Sequence, residues 1–254
     1  MGIGRREFLQ LAAAGSVAAA LPQIATSEVR PTKPKAVLFD GFVVFDPRSV
    51  AAKAEQILPG RGDSLAGEWR TKQFEYCWIR TSAGQYADFW QVTDEALSFA
   101  SHKLKLDTSK AQREQLMDAY LDLQPWPDVV PALKKLKEQG VRLAFLSNFT
   151  AAMLDTNLKR NGMRELFDDH LTTDLVQAYK PSPRAYQMGV DAFQVEKKEL
   201  VFAAFGGWDA SGAKWFGYPT AWVNRANAPL EEFGVRPDAA GQGIDTLTKF
   251  IAGG

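Results

Sequence analysis

The chain has 254 residues, 46% of them hydrophobic, and its 30 Lys and Arg balance 30 Asp and Glu. That length supports one large domain or a domain with an insertion, and the neutral balance leaves no electrostatic footprint for nucleic acid. A single cysteine, Cys77, excludes an internal disulfide, and two distant histidines, His102 and His170, lack the neighbours of a zinc site or a His-based triad.

In chain order, Arg5-Arg6-Glu7-Phe8-Leu9 precedes an apolar, alanine-rich run from Leu9 to Leu21, too short for a comfortable membrane span. The arginine pair with Phe8 just beyond it resembles a bacterial Tat signal. That resemblance implies a signal peptide over residues 1–27 and export of the folded precursor by the Tat machinery. It also implies a periplasmic mature protein with no stable membrane association once processed. Ala18-Ala19-Ala20 and Ala25-Thr26-Ser27 both fit a small-x-small cleavage pattern. Residues 28–34, rich in proline and charge, read as a linker.

A strand is expected over Ala36–Asp40, closed by Gly41. Residues 48–126 then hold no good strand run up to Leu123. They read instead as helical blocks at Val50–Leu58, Ser64–Arg80, Val92–Leu104 and Lys110–Leu123, punctuated by Pro59-Gly60-Arg61-Gly62 and Pro125-Trp126-Pro127. Beyond them helix and strand alternate. Helices are expected over Val129–Gln139, Ala151–Asn161, Pro183–Phe193 and Trp208–Phe216, and strands over Val141–Leu146, Leu200–Ala204 and Thr220–Val223. Such alternation predicts an α/β fold, a Rossmann-like parallel sheet flanked by helices. The core is residues 35–47 and 127–254, and the inserted helices, 48–126, form a cap subdomain that excludes water from a site beneath it.

Asp40 then sits at the C-terminal edge of the first strand, where open α/β sheets place their chemistry. Two residues on stands Phe42, which can neither shuttle a proton nor help bind a hard cation. The carboxylate therefore reads as a lone nucleophile rather than half of a magnesium site.

Phe39-Asp40, Trp69-Arg70, Ser147-Asn148, Tyr179-Lys180-Pro181 and Trp208-Asp209 follow the order and spacing of the haloacid dehalogenase superfamily. The stretches Phe74-Glu75-Tyr76 and Trp78-Ile79-Arg80 are similar to those of type II L-2-haloacid dehalogenases. The resemblance runs from about Lys35 to Phe250. It implies hydrolytic dehalogenation of short 2-haloalkanoic acids to 2-hydroxy acids with inversion at carbon, and no metal or organic cofactor. Asp40 is the implied nucleophile, forming an aspartyl ester that water hydrolyses. Lys180 is its cationic partner. Asp209 orients that lysine, and Arg70 grips halide or substrate carboxylate. Ser147 and the amides after it are implied to bind the substrate carboxylate, with Asn148 ordering the loop and Tyr186 near the nucleophile. Phe42, Phe74, Phe89 and Gly206 complete the implied substrate-binding set. Members are often homodimers, so a second copy joins the haloacid as an implied partner.

Three departures from the family pattern stand out. The usual Tyr-Gly-Thr run after the nucleophile is replaced by Gly41-Phe42-Val43-Val44, one residue shorter before Phe45-Asp46, and the hydroxyl is lost. The usual asparagine two residues before the tryptophan is Gly206. Serine hydroxyls are missing at Ala204 and Phe205. Two other readings follow: a phosphatase or other hydrolase on the same fold, against which Phe42 speaks, and a non-catalytic periplasmic binder of small carboxylates.

Overall fold

The computed structural model describes residues 34–253. The expected signal peptide and all of the linker except Pro34 lie outside those residues.

Six parallel strands form the central sheet in the order β5-β4-β1-β6-β7-β8. They are β1 (Ala36–Phe39), β4 (Arg142–Ser147), β5 (Asp169–Thr172), β6 (Leu200–Ala204), β7 (Thr220–Val223) and β8 (Ala239–Gly241). β1 is central, pairing with β4 from Ala36 opposite Arg142 and with β6 from Ala36 opposite Leu200. Side chains alternate across it. Val37 and Phe39 enter one apolar cluster while Ala36 and Leu38 enter the other. Both faces of a parallel sheet are covered in this way, which explains why the central strands β1, β6 and β7 are almost wholly apolar. Each large side chain so buried contributes roughly 1.5–3 kcal/mol.

Two expectations are corrected here. The first strand stops at Phe39, and Asp40 instead caps a four-residue helix, α1 (Gly41–Val44), accepting from the Phe42 amide. Asp169–Thr172 and Ala239–Gly241 are strands that the apolar pattern does not mark.

After α1, a two-residue strand β2 (Phe45–Asp46) pairs antiparallel with β3 (Gln124–Pro125). Between these strands run α2 (Arg48–Ile57), α3 (Gly62–Ala83), α4 (Phe89–Lys103) and α5 (Lys110–Asp118). α3 buries Leu65, Trp69, Gln73 and Cys77. Their four-residue spacing puts them on one face. Trp69 donates to the Thr93 carbonyl at 2.7 Å, and Gln73 to the Thr93 hydroxyl at 2.6 Å, which locks α3 to α4. The helical block meets the sheet end through Tyr86, whose hydroxyl donates to Asp174 at 2.6 Å, and through the Tyr179 hydroxyl, which donates to the Ala87 carbonyl at 2.5 Å.

The remaining helices are α6 (Val129–Glu138), α7 (Ala151–Arg160), α8 (Pro183–Phe193), α9 (Gly207–Phe216) and α10 (Asp245–Ala252). α8 and α9 supply Ala185, Tyr186, Ala210 and Ala213 to the cluster that holds Leu38. Among the described residues, no helix is long and apolar enough to cross a membrane.

Candidate active site

Asp40 projects from the carboxyl end of β1 and is 8% exposed. Its backbone amide still follows the sheet, donating to the Ala203 carbonyl at 3.0 Å. The carboxylate is held at both oxygens: Oδ1 accepts from the Phe42 amide at 2.9 Å, and Oδ2 from Lys180 Nζ at 2.7 Å. Gly41 packs closely beside it: a Cβ there would stand 3.1 Å from Ser147 Oγ and 3.3 Å from the Phe149 ring, so those side chains would have to give way.

Lys180 is completely buried. Its ammonium also donates to Asp209 Oδ2 at 2.7 Å, so one cation bridges two carboxylates. Burial alone would lower the lysine pKa, but the charges of Asp209 and Asp40 outweigh it and raise it above its usual range. The lysine is placed by its backbone, whose amide donates to Asn148 Oδ1 at 3.1 Å. Asn148 therefore ties the loop after β4 to the lysine loop.

Asp209 lies in the first turn of α9, whose N-cap is Gly206. Tyr186 donates to Asp209 Oδ1 at 2.6 Å while Oδ2 faces Lys180. Burial pushes the Asp209 carboxyl up to about 6, the Lys180 charge opposes that, and the Asp40 charge adds to it. Burial and the neighbouring Asp209 charge push the Tyr186 phenol well above its usual range, so it remains a donor.

Arg70 comes from α3. Its guanidinium lies 5.4 Å from the Phe205 ring centre, 5.6 Å from that of Phe42 and 6.0 Å from that of Phe74. Burial lowers its pKa, and the neighbouring Tyr120 and Asp40 partly restore it. Arg70 thus feels Asp40 electrostatically from within an aromatic cage, a setting that strengthens its pull on an anion. Ser147 Oγ accepts from the Phe149 amide at 3.1 Å at the same sheet edge. Among the described residues, no three His, Cys, Asp or Glu side chains come together as a metal-holding group.

The structure thus draws Asp40, Lys180, Asp209, Tyr186, Ser147 and Asn148 into one group, with Phe42 and Arg70 beside it. Phe74 packs on Trp208 at 5.4 Å, next to Gly206. Phe89 is fully buried and packs, with its ring tilted, against Phe149 at 5.3 Å and Tyr179 at 6.2 Å, so its ring supports the site from behind. Sequence reasoning did not single out Tyr120, which faces Arg70, or Trp126, whose indole donates to the Phe42 carbonyl at 3.0 Å. The Pro125-Trp126-Pro127 punctuation was the one signal near Trp126.

Known proteins resemble this chain over most of its length. The family model for haloacid dehalogenase-like hydrolases matches residues 24–217. The (S)-2-haloacid dehalogenase of Pseudomonas sp. strain YL is 39% identical over 205 residues, covering 80% of this chain and 88% of the relative. The chain belongs to the L-2-haloacid dehalogenase family. A crystal structure of another L-2-haloacid dehalogenase superposes with a TM-score of 0.85 at 41% identity, covering 87% of this chain and 100% of that one. The Xanthobacter autotrophicus L-2-haloacid dehalogenase, solved with chloropropionic acid covalently bound, gives a TM-score of 0.80 at 32% identity, covering 87% and 99%. The overall fold described above is thus shared with these two dehalogenase structures.

Proposed function

We propose that this enzyme hydrolyses short 2-haloalkanoic acids to 2-hydroxy acids through an ester on Asp40. The observation that carries this reading is the doubly anchored Asp40 carboxylate, 2.7 Å from a buried ammonium and electrostatically coupled to a caged arginine. A fixed carboxylate is a competent nucleophile at carbon, and Arg70 offers a charge for the departing halide. In-line displacement places the halide on the side of the carbon away from Asp40, and inverts that carbon.

Lys180 counters the Asp40 charge and keeps its orientation. Asp209 and Tyr186 act through the lysine, fixing its ammonium between the acids. Ser147 and the loop after it meet the substrate carboxylate. Water then attacks the ester carbonyl, returning Asp40 and releasing the hydroxy acid. No metal takes part in this scheme. Phe42, where a phosphatase of this fold needs an acid, is instead an apolar wall, and the charge between the two acids is supplied by Lys180.

Residues 48–126 act in this proposal as a cap whose α3 delivers Arg70. The precursor is exported by the Tat pathway to the periplasm, on the strength of Arg5-Arg6 ahead of the apolar run.

The function is tested by incubating the mature protein with several 2-haloacids and measuring free halide and hydroxy acid. Equal amounts of both, unaffected by chelator, are expected. Phosphate release that needs magnesium would favour the phosphatase reading, and ligand binding without halide would favour the carboxylate binder.

A further inference from the structure

A cavity of about 200 Å³ opens between α2 and α3 and reaches inward to Arg70. Its walls are Pro47, Val50 and Ala51 on one side and Ala66 and Gly67 on the other, with Phe42, Arg70 and Tyr120 at its inner end. Arg48 and Asp63 are the only charged residues lining it besides Arg70. Arg48 is held at the rim by Asp46, with Nη2 2.6 Å from Oδ2, and its guanidinium lies 4.6 Å from the Trp126 ring centre. A Cβ on Gly67 would meet no atom within 4 Å, so there is open space beside this lining position for a larger side chain.

Arg70 therefore both feels the charge of Asp40 and lines this cavity. We propose that the cavity is the exit for the halide, which leaves past Arg70 and between α2 and α3. This inference rests on the dehalogenase reading.

The chemistry requires some such separation. Once displacement is complete, the carbon skeleton is bonded to Asp40 and stays in the site. The halide lies beyond the carbon, on the side away from Asp40, and must leave without passing back across the ester. The inner end of the cavity is attractive to an anion: Arg70 is a permanent cation, and the Tyr120 hydroxyl makes only a long 3.3 Å bond to Gln73 Oε1. At the outer end Arg48 is matched by Asp46 and opposed by Asp63, so an anion arriving there is not retained.

The test blocks the cavity without touching the site. Gly67→Phe places a ring in the passage, and Gly67→Ala controls for losing the helical glycine. Excess enzyme is mixed rapidly with 2-bromopropanoate. Ester on Asp40 is followed by quenching and peptide mass, and bromide in bulk solution by a halide-quenched dye. In wild type and Gly67→Ala, bromide should keep pace with ester. In Gly67→Phe, ester should form within about twofold of the wild-type rate while bromide emerges tenfold or more slowly. Bromide keeping pace with ester in Gly67→Phe would overturn the exit, as would an equal slowing of ester formation, which would mark the cavity as a substrate path or a support of the site. A wild-type protein forming neither ester nor bromide from any 2-haloacid would refute the dehalogenase reading itself, a different result from either.

Discussion

The indole of Trp208 lies across Gly206, so that a Cβ on Gly206 would stand 2.7 Å from Trp208 Nε1. Phe74 and Trp208 pack edge to face at 5.4 Å, and Trp78 and Trp208 at 5.5 Å, which fixes the indole in place. The space that the family's asparagine would use is thus filled by the tryptophan edge.

Restoring the family residue alone should therefore harm this enzyme. Gly206→Asn is expected to lower kcat/KM, and Gly206→Asn with Trp208→Phe to recover part of the loss. A double-mutant cycle on halide release should give a coupling of about 1–3 kcal/mol, as for residues in contact. Additive effects would show that the indole and position 206 are independent.

The pH dependence should split between activity and stability. Asp209 rises from about 3.8 to about 6, first because of burial and then because of the Asp40 charge. Its ionised form is needed to hold Lys180, so kcat should fall as pH drops through about 6. Stability runs the other way. A carboxyl raised in the folded state favours folding most below its unfolded value, and that contribution is lost as pH rises from about 4 to about 6. In Asp209→Asn the acid limb of the kcat profile should move, and this part of the stability profile should flatten.

Lys180→Met should be inactive and strongly destabilised. It leaves two buried carboxylates without their shared cation, and breaking a buried pair costs about 3–5 kcal/mol. The loss in Tm should be smaller at pH 5 than at pH 8, because protonation of Asp209 removes one of the uncompensated charges. An equal loss at both pH values would mean that Asp209 does not carry the charge assigned to it.

Arg70→Lys keeps the charge but loses the planar guanidinium that the three phenylalanine rings enclose. Ester formation should slow by about 10²–10³-fold, the scale of a lost transition-state donor. Thermal melting should change little. Rapid ester formation in this variant would remove Arg70 from the displacement step.

Most of the residues that the structure gathers around Asp40 were legible in the sequence. Asp40 stands out locally, as an acid that ends an apolar run before a glycine, whereas Lys180, Tyr186 and Asp209 are singled out by their resemblance to the haloacid dehalogenase motifs. The central strands were legible because burial on both faces makes them continuous apolar runs. β5 was not, because Asp169-His170-Leu171-Thr172 mixes polar with apolar residues near one edge of the sheet. β8 is the other edge strand and holds only Ala239-Ala240-Gly241. The surroundings of Arg70 were hidden for a different reason. Phe205 lies 135 positions along the chain and Tyr120 lies 50, and neither carries a local signal for a cage or a passage wall. Trp126 reaches back 84 positions to the Phe42 carbonyl, a contact that only the closed fold creates.

The most direct test of the central claim is a single turnover of excess enzyme with a 2-haloacid in heavy-oxygen water. The ester on Asp40 is hydrolysed at its carbonyl, so the label should enter the peptide holding Asp40, and the hydroxy acid of that first turnover should be unlabelled. Label in the hydroxy acid, with an unlabelled Asp40 peptide, would mean that water attacks carbon directly and that Asp40 is not the nucleophile.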